Sequence, residues 1–220
     1  MLKTPPPPYS RTNVDRIRPE DRAPSEIPIL TRNCYESLTT SGDSQMANPS
    51  EWCKLAYWEL QERVGPLFPV DSPFINVFGN VSERLDGWSL GELGLQNHKA
   101  TESVLKTRAK IRLGVTLSRE LGGSVWLYNR SDQPVFVSSL YLENGLGGPG
   151  PIRVPAEHCL CIHAPGGLQT YGWENFNCQG PMGDPNAIRV SFVKGWGTKY
   201  SRRDITSCPC WIEILLAPCR

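Results

Sequence analysis

The chain has 220 residues, with 23 Lys and Arg against 22 Asp and Glu, a formal net charge of +1. That length holds one sizeable domain plus a tail. The near-neutral balance gives no global electrostatic drive toward nucleic acid or membrane surfaces, so only local clusters of charge matter. No apolar run approaches the roughly 20 residues of a membrane span. Met1-Leu-Lys-Thr4 runs straight into prolines where a signal peptide would carry its apolar core. The expectation is no membrane insertion and an intracellular, reducing compartment, in which most of the eight cysteines are thiols.

Residues 1–51 are rich in Pro, Ser, Thr and charge and show no sustained apolar period. Such a segment cannot bury enough surface to offset its ordering entropy, so a disordered Pro-rich linker is expected there. It contains Pro5-Pro-Pro-Pro-Tyr9. A proline run is already in the polyproline II conformation and docks into an aromatic groove at low entropic cost. Pro6, Pro7, Pro8 and Tyr9 fit the PPxY ligand of WW domains; a plain proline-rich linker is the alternative reading.

A folded domain is expected over 52–220. Trp52-Cys-Lys-Leu-Ala-Tyr-Trp-Glu-Leu60 and Phe74-Ile-Asn-Val-Phe78 read as strands, separated by turn signals at Gly65-Pro66, Pro69 and Asp71-Ser-Pro73. Gly87 to Gly94 reads as a loop. From Asn97 to Leu113 the period becomes helical: Asn97 or Thr101 supplies the N-cap, Val104, Arg108 and Ile111 share one face, and Gly114 stops the helix. Lys99, Lys106 and Lys110 line another stripe of that helix. Val115-Thr-Leu-Ser118, Val125-Trp-Leu-Tyr128 and Pro134-Val-Phe-Val-Ser138 are short β-rich runs, punctuated by Gly122-Gly123 and Asn129-Arg-Ser-Asp132. Glu143 to Pro151 reads as a flexible connection, 159–164 as a strand, and Pro165 to Pro185 as irregular. Asn80-Val-Ser82 and Asn129-Arg-Ser131 match the glycosylation acceptor pattern, which means little without a secretion signal. Many short strands with one clear helix predict a mainly β fold, a β-sandwich with helical decoration.

The last part of the chain is distinctive. Ile188, Val190 and Phe192 alternate with Arg189 and Ser191 as in a half-buried strand, and Trp211-Ile-Glu-Ile-Leu-Leu216 is apolar enough to be buried on both faces. The loop between them is too long for a tight hairpin. Gly195 and Gly197 bracket Trp196, so that the backbone can take φ > 0 beside a large ring. Lys194, Lys199, Arg202 and Arg203 make the loop cationic, with Tyr200 among them. A basic aromatic loop held by two core strands suits an acidic or phosphorylated partner; the alternative is a solvated loop whose tryptophan merely packs.

His158-Cys-Leu-Cys-Ile-His163 offers zinc donors. Its C-x-C spacing is wrong for a zinc hairpin, and in a strand it sends both thiols to one face and both histidines to the other. These cysteines, like those of Cys208-Pro-Cys210, are read as structural. No nucleophile, phosphate-loop, dinucleotide or metalloprotease motif occurs, so neither an enzyme nor a cofactor is expected.

Taken together, Trp52-Cys53, Ala56-Tyr-Trp-Glu59, Arg63-Val-Gly65, Arg108-Ala-Lys-Ile111, Gly114-Val-Thr-Leu117, Phe136-Val137, Ser138, Ile188-Arg-Val-Ser-Phe-Val-Lys-Gly-Trp-Gly197 and Ile205-Thr-Ser-Cys-Pro-Cys-Trp-Ile-Glu-Ile214 resemble the C-terminal MAD-homology domain of Smad proteins. The likeness runs through 52–220 in one order. It implies a β-sandwich with a flanking loop–helix region. The PPxY segment, the Ser-Cys-Pro-Cys-Trp junction, the short glycine-rich stretch Ala164–Ala187 and the end at Ala217-Pro-Cys-Arg220 without a serine-rich tail resemble the inhibitory branch, although Thr198-Lys199 and Arg203-Asp204 depart from it. The resemblance implies that Lys106, Lys110, Lys194 and Arg202 contact an activated type I receptor serine/threonine kinase or a phosphoserine tail, with Gly195, Trp196, Gly197, Lys199, Tyr200 and Arg203 in the same surface. It further implies other Smads as partners, a HECT-type ubiquitin ligase recruited through its WW domains, no direct nucleic acid contact, and residence in cytoplasm and nucleus. The alternatives are a nuclear transcriptional scaffold that binds phosphorylated Smad tails, and a zinc-dependent or hydrolytic enzyme built on 158–163.

Overall fold

A computed structural model describes residues 51–80, 86–143, 150–165 and 186–217. The Pro-rich linker with its PPxY motif, most of the Glu143–Pro151 connection, nearly all of the stretch to Pro185 and the last three residues lie outside the described residues.

Two sheets are stacked. The first is built from β1 (Cys53–Glu59), β2 (Glu62–Arg63), β3 (Phe68–Val70), β8 (Val135–Ser138), β9 (Ile152–Val154), β11 (Ala187–Phe192) and β12 (Trp211–Leu216), in the order β2-β1-β12-β11-β8-β9, with β3 also on β1. The second holds β4 (Phe74–Phe78), β5 (Trp88–Ser89), β6 (Val115–Arg119), β7 (Val125–Asn129) and β10 (Cys159–His163), in the order β10-β7-β6-β4-β5. Their inner faces follow the period of two. Leu55, Tyr57, Val137, Val190, Ile212 and Ile214 from one sheet meet Val77, Val115, Leu117, Leu127 and Ile162 from the other in a single buried core. Each such side chain contributes about 1.5–3 kcal/mol by leaving water. The first strand pairs with the last, Leu55 opposite Ile214 and Tyr57 opposite Ile212, which places both ends of the domain side by side.

The expected β-sandwich is therefore found, and β12 is buried on both faces save for half-buried Leu215. Several local expectations are corrected. The segment Gly87–Gly94 is not a loop: it forms β5 and a short helix α1 (Leu90–Gly94), whose N-cap Ser89 accepts the Glu92 N–H at 3.2 Å. The main helix α2 (Glu102–Ile111) starts later than Asn97, at the cap residue Thr101, so Lys99 lies ahead of the helix and not on its stripe. Its inward face is Val104, Thr107, Arg108 and Ile111, as the period requires. A third helical turn, α3 (Leu140–Leu142), follows β8 and is capped by Ser139. Strand β9 follows directly after the expected Glu143–Pro151 connection, in a stretch where the sequence suggests no element, and Pro69 sits within β3, where a proline is tolerated because the strand is an edge.

Asn129 of the second glycosylation pattern is wholly buried; its amide donates to the Gln133 and Val154 carbonyls at 2.8 and 3.1 Å and its oxygen accepts from Ser131 N–H at 3.0 Å. It is a turn staple with no room for a glycan.

Gly114 ends the α2 segment with φ +57°, and a Cβ there would collide with the Val77 carbonyl oxygen. Gly114→Ala is expected to lower stability by about 1–3 kcal/mol, read as a shift in the urea midpoint at unchanged slope. An unchanged midpoint would mean that the turn relaxes freely.

Candidate functional site: a basic loop on the closing hairpin

Strands β11 and β12 are antiparallel neighbours, and residues 193–210 run between them. At the root of this loop Ser191 Oγ donates to the Lys194 carbonyl at 2.7 Å, and Cys208 Sγ donates to the same oxygen at 3.6 Å. One carbonyl thus gathers both ends. At the tip, Gly197 N–H donates to the Arg202 carbonyl at 2.7 Å and Tyr200 N–H to the Gly197 carbonyl at 3.1 Å. A short 3₁₀ turn, Ile205–Ser207, leads back to the sheet.

Between root and tip the aromatic residues point inward. Trp196 and Tyr200 are 9% and 3% exposed and join Ala56, Trp58, Phe136, Cys208 and Trp211 in a second apolar cluster on the outer face of the first sheet. Tyr200 meets Phe136 edge-on at 5.5 Å, and Trp58 stacks on Trp211 at 5.1 Å. The glycines have different tasks from the one expected. Gly197 does take φ +96°, but Gly195 is needed for space, since a Cβ there would stand 2.6 Å from the Tyr200 ring. It is Val193 that adopts the left-handed conformation, at φ 68°.

With the rings inside, the cations are left on the surface: Lys199 and Arg203 are exposed, and Lys194 and Arg202 are half-buried. Arg202 lies close enough to Cys208 for its charge to act on the thiol. Gly195, Trp196 and Tyr200 therefore build the loop from within, and Lys194, Lys199, Arg202 and Arg203 are the side chains available to a partner. The packing tryptophan and the presented charge, alternatives in the sequence, coexist.

The helix lysines stand apart from these. Lys106 pairs with Glu102 one turn back at 2.7 Å on the exposed face, and Lys110 is exposed on the same stripe. Among the described residues no ion pair or hydrogen bond links either lysine to the loop. The two elements meet underneath: Cys210 Sγ donates to the Val104 carbonyl at 3.7 Å, and a groove of about 630 Å³ runs between Thr101 and Val104 on the helix side and Thr206 and Ser207 on the loop side.

What holds α2 there is a buried ion pair that the sequence reading missed. Glu59, 2% exposed at the end of β1, accepts Arg108 Nε at 2.9 Å and Tyr57 Oη–H at 2.7 Å on one oxygen, and Asn97 Nδ2 at 2.7 Å on the other. Burial works against the Arg108 charge, but the hydrogen bonds and charge of Glu59 outweigh it and raise its pKa. The Tyr57 hydroxyl is pushed strongly upward by burial, with Cys210 and Glu59 adding to the effect. The available signal was an arginine on an apolar helical face and a glutamate closing an apolar strand, two opposite charges each out of place.

No disulfide involves Cys53, Cys159, Cys161, Cys208 or Cys210, and among the described residues no group of three His, Cys, Asp or Glu side chains can hold a metal. The expected placing of both histidines on one face of β10 is corrected. His163 falls on the Cys161 side: its ring lies 6.5 Å from that of Tyr141, whose hydroxyl also meets the Cys161 thiol.

The described residues form a two-sheet domain with a cationic loop between β11 and β12. The chain belongs to the MH2 domain family, which matches residues 50–217. Over 98% of its length it is 37% identical to Mothers against decapentaplegic homolog 6 of Gallus gallus, and over 97% it is 35% identical to homolog 7 of Homo sapiens; these two are the inhibitory Smads. Dwarfin sma-3 of Caenorhabditis elegans is 33% identical over 77% of the chain. The chain spans about half the length of the curated relatives it matches, 52% and 51% for the first two. Smad-family MH2 proteins are signalling adaptors and transcription factors, not enzymes. In fold alone the chain is similar to the IAD domain of interferon regulatory factor 9, with a TM-score of 0.50 at 13% identity over 80% of this chain and 87% of that one.

Removing one partner of the Glu59–Arg108 pair strands the other in the interior, so Glu59→Gln and Arg108→Met should each cost about 3–5 kcal/mol, with the double variant recovering part of the loss in a denaturation cycle. Full additivity would show that the two charges are not coupled. Burial also raises the Cys208 thiol from 9.0 to about 11 and Cys210 from 9.0 to about 12. A raised pKa keeps the proton bound in the folded state, so the stability it contributes is complete below pH 9 and is lost as pH rises toward 11–12. Thermal melts of wild type and Cys208→Ala should diverge below pH 9 and converge above that window.

Proposed function

We propose that the chain is an inhibitory-Smad adaptor that docks on activated type I receptors of the transforming growth factor β and bone morphogenetic protein class and keeps receptor-activated Smads from them. The observation that supports this best is the construction of the basic loop: buried Trp196 and Tyr200 fix the backbone, so that Lys194, Lys199, Arg202 and Arg203 meet a phosphorylated surface without first being ordered. Lys106 and Lys110, which stand apart from the loop on the exposed face of α2, would serve as further receptor contacts. Identity to homologs 6 and 7 supports the inhibitory role. Pro6, Pro7, Pro8 and Tyr9 supply a separate handle for the WW domains of a HECT-type ubiquitin ligase, and other Smads are further partners in cytoplasm and nucleus.

The two handles separate by mutation. Lys194→Glu with Arg202→Glu should weaken binding to a phosphorylated type I receptor kinase domain at least about tenfold and leave WW-domain binding unchanged, because attraction becomes repulsion. Tyr9→Ala should do the reverse. Receptor binding that survives the double charge reversal would remove the loop as the docking site; binding to a phosphorylated Smad tail but to no receptor would favour the nuclear scaffold.

A further inference from the structure

The loop tip carries an exposed hydroxyl in an unusual charge environment. Ser201 is exposed, and among the described residues its side chain makes no hydrogen bond, whereas Ser131, Ser138, Ser139 and Ser191 are buried and bonded through theirs. It stands in Lys199-Tyr-Ser-Arg-Arg203, with cations two positions before it and one and two positions after it. The other exposed hydroxyls of the loop lack this setting: Thr198 has only Lys199 within two positions, and Ser207 lies among Ile205, Thr206, Cys208 and Pro209. A kinase whose peptide groove is lined by carboxylates selects serine on that charge pattern. Tyr200 is anchored inward, and the Gly197–Arg202 hydrogen bond closes the tip, so the Ser201 hydroxyl projects from a turn on the solvent side.

We propose that Ser201 is a phosphorylation site for a basophilic kinase and that the modification switches the basic loop off. This deepens the docking reading and rests on it for its consequence, though not for the site itself. The chemistry is complete with ATP as co-substrate. The Ser201 oxygen forms a bond to the γ-phosphorus, the bond from that phosphorus to the β-bridging oxygen breaks, ADP leaves, and the hydroxyl proton passes to the kinase's base. The product sets about two negative charges beside Arg202 and Arg203. Their guanidinium groups then have a phosphate within the same loop, which offers the charge-assisted hydrogen bonds otherwise given to a partner. A partner's phosphate meets a loop already neutralised and an anion it must approach.

The test uses the whole chain, protein kinase C catalytic domain with ATP, and Ser201→Ala as control. The exposed site makes that substitution structurally mild. Peptide mapping by mass spectrometry should place a phosphate on Ser201. The phosphorylated chain should elute from immobilised heparin at lower salt and bind the phosphorylated receptor kinase domain about tenfold more weakly. Ser201→Ala should show neither change. Absence of phosphate at Ser201 would overturn the proposal, as would phosphorylation that leaves both heparin elution and receptor affinity where they were. If the unmodified chain fails to bind receptor at all, the docking reading falls. The switch is then decided by the map and the heparin elution alone.

Discussion

The buried carboxylate of Glu59 is the constraint on which the remaining arrangement depends. An anion at that depth is tolerable only if its lone pairs are all engaged, and Tyr57, Asn97 and Arg108 engage them from three places in the chain. Satisfying it fixes the rotation of α2 about its own axis, because only one face carries Arg108. It also fixes the approach of α1: a Cβ at Gly94 would strike the Arg108 guanidinium. Since β1 pairs with β12, and Cys210 at the head of β12 reaches the Val104 carbonyl, the same network fixes where the basic loop leaves the sheet relative to the helix. One charge pair thereby sets the geometry between two surface elements without lying on the surface.

The loop divides its residues between two jobs. Rings and small residues face the sheet, so Phe136, Trp58 and Trp211 on the outer face are covered where an antiparallel sheet would otherwise show solvent a polar row. Charged residues then occupy what is left. The covering is imperfect in one respect: Trp58 Nε1 is buried with no hydrogen-bond partner, while the indole stacked on it, Trp211, donates to the Leu60 carbonyl at 2.8 Å. Nothing in the surrounding packing accounts for the unsatisfied group.

Strands β6, β7 and β11, with their alternating or β-rich runs, and β12, with its run apolar enough for burial on both faces, were legible from the residues alone, as was the inward face of α2. What escaped was short or non-local. β2, β3 and β9 have two or three residues each and exist through pairing with β1 or β8, a partner no local window contains. α1 carries Gly91 and Gly94, poor helix formers that are present because Asn80 and Arg108 leave no room for a side chain. In the site, the identity of the cations was legible but the depth of Trp196 and Tyr200 was not, since an aromatic ring in a charged loop fits a docking surface and an anchor equally well. Glu59 and Arg108 are 49 residues apart, and only the fold makes them neighbours.

The depth of each cation decides how it contributes under the docking reading. Lys199 and Arg203 stand in water, where attraction is screened within about 10 Å and the side chains lose rotamer freedom on binding, so their effect falls mainly on the rate of encounter. Lys194 and Arg202 are half-buried against a loop root clasped by Ser191 and Cys208. Their charges work in a lower dielectric, and their backbone is already ordered, so once a phosphate excludes water above them they hold it more strongly than the rim does. An anchored pair inside an exposed rim would separate capture from retention, and the packing of Trp196 and Tyr200 beneath it would make the separation possible.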